Sequence, residues 1–364
     1  KTTKSNKYNS NNRNRKEKEY KSYNNKSNKR KSNSKSKSKS RRMDLIPWGN
    51  NLIKSKGKGL NIKERLEEIA KKGQSAYKDI YRRAKVMKSS AFEGMLLKAT
   101  WPGNEPVPND ILNEIIKHSI PAFKYSQSSM DDDPYHMTLH KIWTKMCEKD
   151  WRTVSKSFYL LHCIVRDSSV ESCEEFTDAI KEMSRTRNPK KPDHKYFDLK
   201  LIKQLDSFGN SYKDFVVAYA QYVLYRSKNF HAKFNQFDEL NSKSKETEVV
   251  ALLKKAQQSL NLGLKVSLTK KDQYNAITGQ ILKLLAIDLR DLYQQFTSTL
   301  LGIVDSSKGS YASPKANNDD VIDLLNFHKD YTVKIKEFLL KIQKNLQSQR
   351  IKIITDITPG ISST

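Results

Sequence analysis

The chain has 364 residues, and 68 Lys and Arg against 40 Asp and Glu give it a formal net charge of +28. Such a basic balance is typical of proteins whose partner is a polyanion, either nucleic acid or an acidic membrane surface. The sequence has no run of about 18 consecutive apolar residues, so we expect any membrane contact to be peripheral. The three cysteines lack a paired or metal-type spacing, which predicts free thiols in a reducing compartment.

The basic charge is concentrated at the start of the chain. Residues 1–42 contain 17 Lys and Arg against 2 Glu, a net charge of +15, which leaves +13 for the other 322 residues. The rest of this segment is mostly Ser and Asn, which cannot bury enough apolar surface to offset the entropy of ordering the chain. We therefore predict that residues 1–42 form a disordered basic tail.

Residues 43–60 mix apolar side chains, among them Trp48, with the lysines Lys54, Lys56 and Lys58. Two interpretations stay open. The segment is either a flexible linker, which Pro47 favours, or a membrane-contacting segment. In the second case Trp48 would lie in the interfacial zone and the lysines would face anionic headgroups.

From Leu60 onward, apolar residues recur at helical spacing through most of the chain. This pattern predicts helices at about 61–88, 90–99, 109–117, 134–148, 150–167, 171–186, 196–207, 209–236, 271–304 and 317–346. No strand-like alternation stands out. The expected fold is all-α, a stacked helical solenoid over residues 61–346 extended by two long C-terminal amphipathic helices, with residues 347–364 as a C-terminal tail. In the last helix, Ile322 and Leu325 are assigned to the apolar stripe.

The segment 150–167, DWRTVSKSFYLLHCIVRD, places Trp151, Phe158 and Leu161 on one helical stripe, which predicts that these side chains are buried. The intervening residues, including Ser155, Tyr159 and Cys163, fall outside that stripe. His162 lies beside the stripe, and we expect it to be a packed, hydrogen-bonded histidine.

Three motifs, in this order, resemble the ENTH/ANTH family and in particular the ANTH-type domain of clathrin-assembly adaptor proteins. They are Lys98-Ala99-Thr100 at the end of an early helix, the 151–162 helix, and FVVAYAQYVLYR at 215–226. The resemblance covers about residues 61–346. It implies a non-enzymatic adaptor that binds phosphoinositides and other anionic lipids during clathrin-coated vesicle formation and endocytosis.

The resemblance also implies partners and a location. The expected partners are anionic membrane lipids, including phosphatidylinositol 4,5-bisphosphate, clathrin coat components and a vesicle SNARE. The protein would be cytoplasmic and peripheral on the plasma membrane, on clathrin-coated pits and vesicles, or on endosome and Golgi membranes. No cofactor is implied.

The family binds the lipid headgroup through a lysine that follows its first helices and through a Lys-x-Lys-His cluster. Lys98 matches the first element, but Pro106-Val107-Pro108-Asn109-Asp110 stands in the place of the cluster and contains no basic residue. We therefore predict binding by distributed charge, through Lys98 together with Lys54, Lys56 and Lys58, and not through one headgroup pocket.

Catalysis and metal binding find no support in the sequence. His136 and His140 are four residues apart, but they lack the glutamate of HExxH and a third ligand. The peptide VIDLL at 321–325 resembles a clathrin-binding motif, although we expect it to be helical with Leu325 in the core. Two other functions stay open. One is a helical protein-interaction module without lipid affinity. The other is a basic-tailed nuclear or nucleic-acid scaffold, which the lack of a recognised nucleic-acid module disfavours.

Overall fold

The computed structural model describes residue 86 and residues 90–118, 134–189, 191–202, 204–240, 244–309 and 318–347. All the described residues lie in one compact unit, which begins at Glu68. The predicted tail 1–42 and the 43–60 segment with Lys54, Lys56 and Lys58 lie outside the described residues. So do the predicted helix 61–88, apart from Val86, and residues 348–364.

The prediction of an all-α fold is confirmed. Within the described residues, the regular structure consists of ten α-helices, two short strands and short 3₁₀ turns. The helices are α1 Ala91–Ala99, α2 Asn109–His118, α3 Pro134–Met146, α4 Trp151–Asp167, α5 Val170–Arg185, α6 Leu199–Ile202, α7 Lys213–Asn229, α8 Glu246–Leu264, α9 Ala276–Gly309 and α10 Asn318–Gln347.

Helix α4 is the centre of the domain and packs against α2, α3, α5, α7 and α9. Asp150 caps it, since its carboxylate accepts the backbone N–H groups of Arg152 and Thr153. The predicted burial of Trp151, Phe158 and Leu161 is confirmed, and Trp151 stacks on Tyr212 with 3.7 Å between ring centroids.

The burial of α4 extends beyond the predicted stripe. Ser155, Tyr159 and Cys163, which fall outside the stripe, are buried as well. Periodicity detects the face with the most apolar side chains, but neighbouring helices cover α4 on its other faces too. A helix surrounded in this way buries small and polar side chains wherever they find hydrogen-bond partners.

The region between α5 and α8 differs most from the predicted elements. An antiparallel pair of strands, β1 Arg187–Asn188 and β2 Lys191–Lys195, was not predicted. Of the helix predicted at 196–207, the described residues show α6 alone. The helix predicted at 209–236 begins as a 3₁₀ turn at Ser207–Tyr212 and ends at Asn229. After it, Ala232 and Phe234 adopt positive φ angles of 44° and 67°, which no helix accommodates.

Helix α8 was missed by the sequence analysis, although its buried residues Val250, Leu253, Ala256 and Leu260 recur every three or four positions. It packs against α7, α9 and α10. At its C-terminal end Gly263 allows a close approach to α9, because a Cβ atom at this position would lie only 3.1 Å from Cγ of Leu289.

Helix α10 is rotated relative to the prediction. Ile322 and Leu325 are exposed, with 53% and 37% of their surface accessible, so their assignment to the core is wrong. Leu324 is buried instead, in register with Tyr331, Ile335 and Ile342. The VIDLL peptide therefore lies in a helix with Leu324 facing inward and Leu325 facing solvent. Among the described helices, none combines the length and the apolar character that crossing a bilayer requires.

Candidate functional site

The predicted headgroup lysine, Lys98, lies in the last turn of α1. Its neighbours Leu96, Leu97 and Ala99 are buried and fix the helix on the domain, whereas the Lys98 side chain is exposed. The ammonium group is therefore presented to solvent from a rigid backbone. This geometry suits contact with a phosphate, since no packing has to be disturbed to reach it.

The chain then runs through residues 101–108, which we call the α1–α2 connection. Lys156 of α4 reaches into it and donates hydrogen bonds to the carbonyl oxygens of Trp101, at 2.7 Å, and Gly103, at 3.1 Å. Burial lowers the pKa of Lys156 to about 8, and the nearby Arg152 guanidinium acts in the same direction. Lys156, one of the residues that carry the family resemblance, thus stabilises the connection from inside and is not available to a ligand.

A second contact fixes the connection at its proline pair. Pro106 and Pro108 have no backbone N–H to donate, so Val107 supplies the peptide donor between them. Gln280 of α9 satisfies both polar groups of Val107: its Oε1 accepts the N–H at 2.9 Å, and its Nε2 donates to the carbonyl at 2.9 Å. Residues 106–108, which include no basic side chain, are therefore docked onto the long helix α9.

A groove with a volume of about 510 Å³ lies between the connection and α9, and we call it the proline groove. Lys283, an exposed residue of α9, lies at this groove and brings a positive charge to it. Tyr159 also lines the groove, and because burial raises the pKa of its hydroxyl, it remains a neutral phenol. The full lining is Pro106, Val107, Pro108, Asn109, Tyr159, Ala276, Gln280, Lys283, Leu284 and Ile287.

Sequence reasoning missed Gln280 and Lys283. Both are more than 160 positions away from the connection along the chain, and nothing in their local sequence marks them. Only the packing of α9 against the connection brings them there. Lys98, by contrast, could be identified because its neighbours in the sequence carry the motif.

A buried polar network surrounds Asp288 of α9, and we call it the Asp288 cluster. Oδ2 of Asp288 accepts hydrogen bonds from Tyr222 Oη and from Arg226 Nε at 3.0 Å, and it lies 2.9 Å from Nε2 of His162. Nδ1 of His162 lies 3.0 Å from Oη of Tyr219. Asp288 and the side chains of His162, Tyr219, Tyr222 and Arg226 are all fully buried.

The protonation states of the cluster follow from its geometry. Burial alone would raise the pKa of Asp288, but the Arg226 guanidinium and His162 hold it well below its usual range, so the carboxylate is ionised. An ionised carboxylate can only accept hydrogen bonds, so Nε2 of His162 carries the proton and donates to Asp288. Nδ1 then accepts a hydrogen bond from the Tyr219 hydroxyl. Burial lowers the pKa of His162 more than Asp288 raises it, so the imidazole is neutral.

The Asp288 cluster confirms that His162 is a packed, hydrogen-bonded histidine. It joins α4, α7 and α9, and the Arg226 guanidinium also donates to the carbonyl of Ala232 in the turn after α7. The cluster has no exposed surface, so its chemistry is structural. Asp288 was missed, although the signal was present: it occupies a core position between Leu285 and Leu292 in the apolar stripe of α9.

The two histidines considered as metal ligands line another cavity, of about 350 Å³, together with Tyr196. Nε2 of His136 lies 3.3 Å from a carboxylate oxygen of Glu182, and the ring of His140 packs edge-on against Tyr196. Over the part of the chain that the structure describes, no group of three or more His, Cys, Asp or Glu side chains is placed to hold a metal ion.

No protein-family model matches this chain, and no curated protein matches it.

Proposed function

We propose that this chain is a peripheral adaptor that binds anionic membranes, with phosphoinositides among their lipids, and acts in clathrin-coated vesicle formation. One observation carries the proposal: the Lys98 side chain is exposed, while its neighbours Leu96, Leu97 and Ala99 are buried and fix the last turn of α1. A cation held on a rigid backbone loses little backbone entropy when it binds a phosphate.

The α1–α2 connection shapes how the lipid is bound. Lys156 occupies the carbonyl groups of Trp101 and Gly103, and Gln280 occupies both peptide groups of Val107. The connection has no basic side chain. Lys283 brings a positive charge to the proline groove from the other side. Cations that are spread over α1, α9 and the 43–60 segment favour attraction to the total surface charge of a membrane over recognition of one headgroup isomer.

The coat components, the SNARE partner and the organelle belong to the same proposal and are supported by the family resemblance alone. A second candidate function is a helical protein-interaction module without lipid affinity. It is favoured by one observation: the α1–α2 connection has no basic side chain, and Lys156, the lysine that reaches it, is buried on its carbonyl groups.

Vesicle co-sedimentation of the full chain tests the proposal. We expect the triple variant Lys54→Ala, Lys56→Ala and Lys58→Ala to lose more binding to phosphatidylserine-containing vesicles than Lys98→Ala does, since it removes more charge. Lys255→Ala is a matched control, because Lys255 is an exposed lysine of α8. If Lys98→Ala abolishes binding while the triple variant binds normally, a single pocket replaces the distributed surface. If the unmodified chain binds no anionic vesicle, the interaction module is the better account.

A further inference from the structure

Helix α10 presents a fixed face to the rest of the domain. Its buried residues include Leu324, Ile335 and Ile342. Polar contacts hold the same face in place along the helix: Thr332 Oγ1 lies 2.5 Å from Oη of Tyr293, and Asn345 Nδ2 donates to Oη of Tyr274 at 2.8 Å. Because the rotation of α10 is fixed, the composition of its opposite face is a property of the folded protein.

That opposite face combines apolar and cationic side chains. At about 100° per residue, eight positions from Ile322 onward lie within about 40° of a single direction along the helix. We call them the outer face of α10: Ile322, Asn326, Lys329, Val333, Lys336, Leu340, Lys344 and Gln347. Its apolar members are strongly exposed, with 53% of Ile322, 57% of Val333 and 60% of Leu340 accessible. Its lysines alternate with them and are exposed as well.

The acidic residues of α10 are kept away from this face. All five lie about 60–160° to one side of it, and they are Asp319, Asp320, Asp323, Asp330 and Glu337. Within the described part of α10, the outer face therefore has cations and no anion. Two further lysines, Lys334 and Lys341, lie on the acidic side.

This arrangement matches the surface of an anionic bilayer. Exposed apolar side chains are unfavourable in water, but they can be buried at the boundary between lipid headgroups and acyl chains. The lysines beside them can bind the phosphates and carboxylates of anionic lipids. Lysine stems also cover apolar surface while the ammonium stays at headgroup level. The face is the ridge of one helix, about 33 Å long from Ile322 to Lys344, and a flat membrane accommodates a ridge without needing a complementary groove.

We infer that the outer face of α10 is a membrane-contacting surface, with Ile322, Val333 and Leu340 at the bilayer interface and Lys329, Lys336 and Lys344 on anionic lipids. The inference rests on the proposed function and adds a second lipid-facing element, far along the chain from Lys98. The family resemblance does not supply it, because it depends on the exposure of Ile322, which the sequence pattern assigned to the core.

Two charge-matched variants of the full chain test this surface. The outer pair is Lys329→Glu with Lys336→Glu, and the control pair is Lys334→Glu with Lys341→Glu on the acidic side of the same helix. Both pairs change the net charge equally. We expect the outer pair to weaken partition into phosphatidylcholine vesicles containing phosphatidylserine at least about tenfold, and the control pair to have less than about a threefold effect.

An apolar variant supplies an independent readout. Val333→Ser with Leu340→Ser should also weaken partition, whereas Leu301→Ser should not, because Leu301 is an exposed leucine of α9 outside this face. Circular dichroism and thermal unfolding verify that each variant folds. Equal losses for the outer and control pairs, with normal binding by the unmodified chain, would overturn the inference and leave the proposed function standing. Absence of binding by the unmodified chain would instead reject the proposed function, and the inference with it.

Discussion

Asp288 carries a negative charge at a position with no exposed surface, and His162, Tyr222 and Arg226 contact its carboxylate. A buried charge is tolerated only when hydrogen bonds and an opposite charge compensate its loss of hydration. Arg226 supplies the opposite charge here, and it depends equally on Asp288. The two residues are 62 positions apart in the chain, so their pairing forms only when α7 and α9 come together.

Replacing Asp288 by Asn should destabilise the domain strongly. The change keeps the shape of the side chain but leaves the Arg226 guanidinium buried without a counter-charge, so we expect a loss of about 3–5 kcal/mol in the free energy of unfolding. Urea unfolding followed by circular dichroism measures it. Asp178→Asn is the control, because Asp178 of α5 pairs with Lys181 at the exposed surface and should lose less than about 1 kcal/mol. Similar losses for both variants would contradict the central role of Asp288.

The pH dependence of stability should reveal the neutral state of His162. Its pKa is lower in the folded protein than in the unfolded chain, where it is about 6.5, so the unfolded chain takes up a proton first as the pH falls. Stability should therefore be fully present above about pH 7 and decline as the pH falls below 6.5. Unfolding at pH 7 and pH 5 of the unmodified chain and of His162→Gln isolates this contribution. The decline should be smaller in the variant, and an equal decline in both would show that His162 does not titrate as described.

At the scale of elements, the α1–α2 connection depends on a helix far from it in sequence. Gln280→Ala removes both partners of Val107, and we expect a loss of about 1–3 kcal/mol, since the peptide groups must find water or remain unpaired. Hydrogen exchange should show faster exchange of the Val107 amide. Gln280→Glu is the matched comparison, because it keeps the acceptor for the Val107 N–H and loses only the donor. Unchanged exchange in Gln280→Ala would mean that the connection is held without this clamp.

The helices also show how much of the fold can be predicted from the sequence. Helices α1 to α5 could be predicted because each is bounded by turn or capping residues and has a regular apolar period. Helix α8 has such a period and was overlooked. The rotation of α10 could not be predicted from the pattern, because both Leu324 and Leu325 fit a helical stripe. Contacts with α8 and α9 decide between them.

The same limit applies to the candidate site. Lys98 could be found because a local motif contains it. Gln280 and Lys283 could not, since they reach the site only through the packing of α9. The Asp288 cluster could be predicted only in part. A polar residue at a core position was visible in the sequence, whereas the identity of its partners depended on three helices.

At the scale of the whole molecule, the charge is divided between the first 42 residues and the remainder of the chain. We predict that residues 1–42 contribute nothing to the stability of the domain, because their composition offers too little apolar surface to bury. Thermal unfolding of the full chain and of residues 43–364 should give melting temperatures within about 2 °C of each other. A markedly lower melting temperature without the tail would mean that it packs on the domain.

The remaining +13 charge lies on residues 43–364 and should control membrane association in a way that salt reveals. Attraction between a distributed cationic surface and a bilayer weakens as the Debye length falls from about 10 Å at 0.1 M salt towards about 3 Å at 1 M. Short, partly desolvated contacts in a headgroup pocket are less sensitive to salt. A pocket would also distinguish between bisphosphate isomers, which a distributed surface does not.

Co-sedimentation of residues 43–364 with neutral and anionic vesicles over this salt range is the most direct test of anionic membrane binding. We predict negligible binding to pure phosphatidylcholine, binding that rises with the fraction of anionic lipid irrespective of bisphosphate isomer, and a steep loss of binding with salt. Equal sedimentation with neutral and anionic vesicles, or no sedimentation with either at low salt, would contradict the account.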